Sequence, residues 1–298
     1  MSDVLRNDQN SYFQKQNHLA LKKTEVTKTV ILDAAVQRAA GRGRSIRALG
    51  AGFTNLFANS EQGVIYDPSD ISSLSQDVAG ATPVTAAGQP VGRILDLSGN
   101  GNHATQATAS KRPTYQTDGV LHWLQFDGVD DAMATPSIDF TATDEMSVFV
   151  GLRKLSVTAA MLLESSINSG INSGTFSFVT PDSATDRYRY FSRGTLNGFA
   201  NVTSALYNAP VTSVLTGFSK IATPVSTIRV DGAQFATTAA SQGTGNYTAQ
   251  VLYLGARAST SLYFTGNLYG LTIRNALSDA GDIFNAELLM AELAGLTL

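Results

Sequence analysis

From about residue 63 onward, apolar positions fall into short runs separated by turns. Residues 147–152 (SVFVGL) are almost continuously apolar, which predicts a strand buried on both faces. Residues 175–178 (TFSF) alternate strictly, and residues 187–191 (RYRYF) set arginines on one face and tyrosines on the other. Residues 120–126 (VLHWLQF) predict a buried strand, and Met133 opens another apolar stretch. Residues 227–230 (TIRV) run into Asp231-Gly232, a hairpin signal, and strand-like runs follow at 251–255 and 268–274. Residues 63–66 form a further strand, closed by the Asp67-Pro68 turn. Residues 168–174 (NSGINSG) read as a mobile hairpin tip. So many short strands at close intervals predict an all-β antiparallel sandwich.

Helical spacing returns only near the ends. Asp279 can cap a helix, with Asp282 in its first turn. Ile283, Phe284, Glu287, Leu288 and Leu293 then give helical spacing, and Gly295 sits where its stop is expected. Residues 30–40 (VILDAAVQRAA) predict a short helix before Gly41-Arg42-Gly43-Arg44, and residues 46–57 a second amphipathic stretch.

Charge separates these regions. The first 50 residues hold nine basic and four acidic groups, so +5 there leaves −8 on the rest of a chain of net charge −3. That shift divides the chain into an N-terminal anchoring or oligomerisation segment, residues 1–58, and a β-sandwich domain, residues 59–298. The segment can be a docking arm for another protein, a basic nucleic-acid arm around Arg42, Arg44 and Arg47, or a helix with a solvated basic face. No stacking aromatics interleave with these arginines, so no nucleic-acid partner is expected.

Composition narrows the chemistry. At 298 residues the chain can bury roughly three-quarters of its unfolded surface. Only 15% of residues are charged and 26 are glycine, which suits a turn-rich β-protein. The absence of cysteine excludes disulfides, thiolate catalysis and Cys-ligated metals. No run approaches the ~20 apolar residues of a membrane-spanning helix, and residues 1–16 lack the apolar core of a secretory signal. Synthesis in a cytoplasm without a signal peptide is expected, with lysis as one route out.

Two polar, glycine-rich segments are the most informative. Residues 96–105 read DLSGNGNHAT, and residues 125–131 read QFDGVDD. Asn, Asp and Gly tolerate the positive φ of tight reversals, so each predicts a turn, and Asp127-Gly128 carries a hairpin signal. The segment FDGVDD, the strand at 146–152, IRVDG at 228–232, and the stretch from LGARAS at 254 to Leu277-Ser278-Asp279 resemble, in that order, the concanavalin A-like (laminin-G-like) family. The resemblance covers about residues 61–298 and implies a jelly-roll β-sandwich. Residues 56–115 (LFANSEQGVIYDPSD…SKRPTY) resemble a segment that recurs in tailed-bacteriophage and prophage proteins. That implies a structural, non-enzymatic virion component, such as a tail fibre, tail tip or head appendage. It also implies other virion proteins as partners and a homo-oligomer, with a trimer fitting a fibre-like part. A carbohydrate-binding adhesin that recognises host surface glycans is the alternative, and a glycoside hydrolase ranks third.

The candidate site residues read mostly as structural. Asp127, Asp130 and Asp131 could ligate Ca²⁺ but read better as turn caps, without the Asp ladder of a dedicated loop. His103, beside Asn100 and Asn102, reads as a hydrogen-bonded strut, and His18 and His122 share no motif with it. A glycosidase needs two carboxylates roughly 5–10 Å apart, and Glu145, Glu164, Glu287 and Glu292 form no such strand pair. No nucleophile elbow or phosphate loop is present. No catalytic, metal or cofactor residues are therefore expected. Saccharide platforms could come from Tyr188, Tyr190, Tyr207 or Tyr247, which could equally form a protein interface, while Trp123 reads as core.

Overall fold

The computed structural model describes residues 56–182, 186–195 and 198–298. The helix expected at 30–40, the basic cluster and all but the last three residues of the anchoring segment lie outside them. Chain order runs through β1 (Gly63–Tyr66), β2 (Leu74–Ser75), β3 (Arg93–Ile94), β4 (Ala104–Thr105), β5 (Thr114–Thr117) and β6 (His122–Asp127). Next come β7 (Met133–Ile138), β8 (Glu145–Lys154), β9 (Met161–Ser165), β10 (Thr175–Val179), β11 (Arg187–Arg193) and β12 (Ala200–Leu206). The last elements are β13 (Val211–Lys220), β14 (Val225–Val230), β15 (Ala233–Thr238), β16 (Gln250–Leu254), β17 (Thr265–Arg274) and the helix α1 (Ala280–Ala294).

These strands build two antiparallel sheets, as expected. An eight-stranded sheet has the order β15-β14-β13-β8-β17-β6-β5, with β1 on the far half of β17. A nine-stranded sheet runs β12-β11-β10-β9-β16-β7-β4-β3-β2. Strand β8 shows how the pattern produces the fold. Met146, Val148, Val150 and Leu152 face the core between the sheets. Phe149, on the opposite face, packs into a second cluster with Ala286, Leu289, Met290 and Leu293 of α1. The strand is apolar on both sides because the helix covers its outer face. Asp279 caps α1 by accepting from the Asp282 N–H, and Gly295 ends it in the left-handed region at φ 72°. Of the residues at helical spacing, Glu287 and Leu293 are buried and Ile283 packs against the same cluster, joined by Ala286, Leu289 and Met290, while Phe284 is exposed.

The aromatic residues of β11 and the loop before β16 tie the sheets together. Tyr188 and Tyr190 point inward, and their hydroxyls reach Ser213 (3.1 Å) and Ser219 (2.9 Å) on β13 of the opposite sheet. The Tyr247 hydroxyl bonds Ser192 and Ser219. Burial of the rings supplies the hydrophobic contribution, and the serines satisfy each phenol, which would otherwise be costly to desolvate. Gly217 makes room for this layer, since a Cβ there would lie 2.5 Å from the Tyr190 ring.

The two Asp-Gly steps part company. At Asp231-Gly232 both residues have positive φ (49° and 79°), and Val230 pairs directly with Ala233, so the expected hairpin forms. At Asp127-Gly128 the hairpin expectation fails. Strand β6 belongs to the eight-stranded sheet and β7 to the nine-stranded one, so this turn is a corner that carries the chain between layers. The loop at 168–174 does connect the paired strands β9 and β10, and its Ser169 is buried against Glu164. Helix α1, the one α-helix among the described residues, is not long and apolar enough to cross a membrane.

Candidate functional site

The segment DLSGNGNHAT forms the loop between β3 and β4 and clamps β1. One carboxylate oxygen of Asp96 accepts the N–H groups of Ile65 and Ser98, and the other accepts that of Asn102. The amides of Asn100 and Asn102 donate to the carbonyls of Glu61 and Gly63. His103 Nδ1 accepts the Asp96 N–H at 3.0 Å, so the histidine is the expected strut, and burial holds its pKa below the usual value. His122 lies on β6, where its Nδ1 meets the Tyr115 hydroxyl at 2.6 Å.

The acidic trio at the β6–β7 corner comes together, with one carboxylate oxygen from each residue within 4.8 Å of the others. Its hydrogen bonds are those of a capped turn. One oxygen of Asp127 accepts from the N–H groups of Val129, Asp130 and Asp131, and Asp131 accepts the Asp127 N–H in return. Burial, together with the neighbouring Asp127 charge, raises the Asp131 pKa to about 6.

Among the described residues, Glu61, Glu145, Glu164 and Glu287 are held in ion pairs. Glu164 is fully buried and accepts a forked contact from Arg257 together with the N–H and hydroxyl of Ser169. Glu145 pairs with Lys220, Glu287 with Arg229 and Glu61 with Arg274. The inner face of β8 ends in the buried Lys154, which bonds Asp186 and stands 4.9 Å over the Tyr188 ring. These pairs fix geometry, and each carboxylate already has its cation.

The tyrosine platforms do not exist as expected. Tyr188, Tyr190 and Tyr247 are buried in the core, and Tyr207 packs on Tyr188 with centroids 5.1 Å apart. Trp123 also departs from expectation. Only Leu124 and Phe126 of β6 enter the core, whereas Trp123 lies half-buried on the outer face of the eight-stranded sheet, against the cluster beneath α1. The alternation H-W-L-Q-F held this signal, because Trp123 is in phase with Gln125 and so cannot share a face with Leu124 and Phe126.

Beside Trp123, that outer face carries a polar row absent from the candidates above. The register sets Thr114, Gln125, Asn267, Arg153 and Thr212 abreast on β5, β6, β17, β8 and β13. In the adjoining row Tyr269, two residues from Asn267 on the same face, sets its ring 5.8 Å from that of Trp123, and a bulge beside it lets Leu271 return to the core. The end of α1 borders the face, where Leu296, like Trp123, packs against the outer cluster, and Leu298 approaches Gly232.

No family model matches the chain, and no curated protein matches its sequence. Solved structures do. A botulinum neurotoxin type C structure, concerned with cell entry through two ganglioside molecules, aligns with a TM-score of 0.53 at 12% identity, covering 78% of this chain and 52% of that one. The binding domain of botulinum neurotoxin serotype D gives 0.53 at 9% identity, over 77% of this chain and 52% of that one. The binding domain of Paraclostridial Mosquitocidal Protein 1 gives 0.52 at 11% identity, over 68% and 50%. The chain thus spans about half the length of these structures. The likeness defines the fold class, a lectin-like β-sandwich.

Proposed function

We propose that this chain is a non-enzymatic component of a tailed-bacteriophage virion whose concanavalin A-like sandwich faces outward and recognises saccharides on a host surface. One observation carries the reading. The segment resembling phage virion proteins, residues 56–115, is built into the sandwich: β1 pairs with β17, β2 to β4 extend the nine-stranded sheet, and β5 edges the other. The phage-like and laminin-G-like stretches therefore belong to one folded body.

Two further observations support it. Glu61, Glu145, Glu164 and Glu287 are each neutralised by a cation, which leaves them ill placed as a glycosidase acid and base. A fold-mate named above is a toxin concerned with gangliosides, which supports a saccharide-facing role at the level of ligand class. In this reading residues 1–58 anchor the protein to the particle or to sister subunits, and the chain is made in the host cytoplasm.

Imaging of labelled particles tests the proposal. Full-length protein should appear on the outside of the virion, and deletion of residues 1–55, which spares the buried Leu56, should abolish incorporation while the sandwich stays folded. Absence from purified particles would overturn the virion role, and failure to bind any surface saccharide would overturn the recognition role.

A further inference from the structure

The geometry points to a saccharide subsite on the outer face of the eight-stranded sheet, beside the end of α1, that takes a sugar ring bearing a carboxylate. Its elements are Trp123, Gln125, Asn267 and Arg153. The inference rests on the recognition function proposed above and gives it a place and a ligand class.

A polar row on a sheet face is ordinarily only a solvated surface, and three observations separate this one. Among the described residues, Arg153 is the one arginine whose guanidinium makes no hydrogen bond or ion pair; the other eight are committed to carboxylates, carbonyls or a serine hydroxyl. Arg153 is also exposed. Asn267 is only 7% exposed, yet its Oδ1 has no partner and its Nδ2 has only a 3.5 Å contact with the Tyr269 hydroxyl. Whichever way round the amide is assigned, one of its polar atoms is left over. A buried polar atom without a partner costs about 1–3 kcal/mol, and sites that bind ligands are where such a cost is retained. The third observation is the aromatic pair at the margin of the row: Tyr269 lies with its ring 5.8 Å from that of Trp123, which is left half-buried there.

Each group has a role that its chemistry suits. The indole offers an apolar plate for the C–H face of a pyranose. The Gln125 side chain forms no hydrogen bond among the described residues, and it and Asn267 can donate to and accept from sugar hydroxyls. Arg153 offers a planar fork of donors, which fits a carboxylate in bidentate fashion. The nearest acid on β6, Asp127, does not spoil this. With strands ~4.8 Å apart and a rise of ~3.4 Å per residue, it stands about 12 Å from Arg153 along the sheet. One of its oxygens is also turned into its own turn.

The test uses the full-length protein and three probes: sialyllactose, a glucuronate oligosaccharide and, as the uncharged control, lactose. Calorimetric titration should show the carboxylated probes bound more tightly than lactose. Arg153→Gln should weaken the carboxylated probes at least tenfold and leave lactose unchanged, while Gln125→Ala should weaken all three. Both side chains project from the surface of the sheet, so both variants should keep the wild-type melting temperature; Trp123→Ala, which also loses packing, serves only as a third check. Carboxylated probes that bind Arg153→Gln and Gln125→Ala as they bind wild type would overturn this site and leave the recognition function standing. Wild type that binds none of the probes and nothing on a broad glycan array would overturn both.

Discussion

Arg229 on β14 grips Glu287 on α1 through two parallel contacts, Nε to Oε1 at 2.6 Å and Nη2 to Oε2 at 2.9 Å. Glu287 is buried under the helix, so the fork fixes where α1 lies along the sheet. Removing one partner strands a buried charge. Glu287→Ala should therefore destabilise the protein by about 3 kcal/mol, read from urea unfolding. The double variant Arg229→Met with Glu287→Leu should recover most of that loss, because apolar packing replaces a desolvated pair. A double variant as weak as the single one would show that the fork itself carries the stability.

Asp96 is the centre of the β3–β4 loop, and its carboxylate satisfies the N–H groups of Ile65, Ser98 and Asn102. Asp96→Ala leaves the buried Ile65 N–H without an acceptor and frees β1 from its clamp. A loss of about 2–3 kcal/mol is expected, seen as a fall in melting temperature and faster amide exchange at residues 63–66. Unchanged exchange there would contradict the clamp.

Asp131 makes stability depend on pH in a definite direction. Its pKa in the folded protein is raised to about 6, above the ordinary 3.8, mainly by burial. Folding therefore favours the protonated form. The contribution is fully present below about 3.8 and is lost as pH rises through about 6. At pH 7 the charged carboxylate costs on the order of 2 kcal/mol. Asp131→Asn keeps an acceptor for the Asp127 N–H and removes the charge. It should raise the melting temperature by about 4 °C at pH 7 and by nothing near pH 4. Equal melting curves at both pH values would refute the assignment.

Gly217 faces the inward rings of β10 and β11, where a Cβ would lie 2.5 Å from Tyr190 and 2.8 Å from Phe178. Both rings are fully buried and cannot swing into solvent. Gly217→Ala should cost about 2 kcal/mol through overpacking, measured by denaturant unfolding. A neutral result would mean that the tyrosine layer can shift.

Much of the fold was legible residue by residue. The strict alternation at 175–178 and 187–191, the Asp231-Gly232 turn and the Asp279 and Gly295 caps all act over a few positions, and each formed as its local chemistry required. The roles of individual side chains were harder to read. Tyr188 and Tyr190 read as saccharide platforms or a protein interface, yet they are buried, and their burial depends on serines of β13 more than twenty residues away. The spacing placed Glu287, Leu293 and Ile283 of α1 on its packed side, but Phe284 is exposed, because a helix with apolar residues on several sides does not reveal the full extent of its buried stripe until it meets a sheet.

The deepest divide lies between the two Asp-Gly steps. Both turns place a glycine at positive φ, Gly128 at 78° and Gly232 at 79°, which is a local property of glycine, although only Asp231 joins its glycine there. Whether the next strand returns to its neighbour or crosses to the other layer is settled by pairing across distant positions. Ala233 meets Val230, whereas Met133 meets Leu254. The polar row has the same origin. Thr114, Gln125, Asn267, Arg153 and Thr212 are scattered over some 150 positions of the chain, and only strand register sets them side by side. Turn chemistry and alternation are short-range forces written in adjacent residues. Sheet order and register come from the burial of a shared core, a property of the whole domain that no local stretch contains.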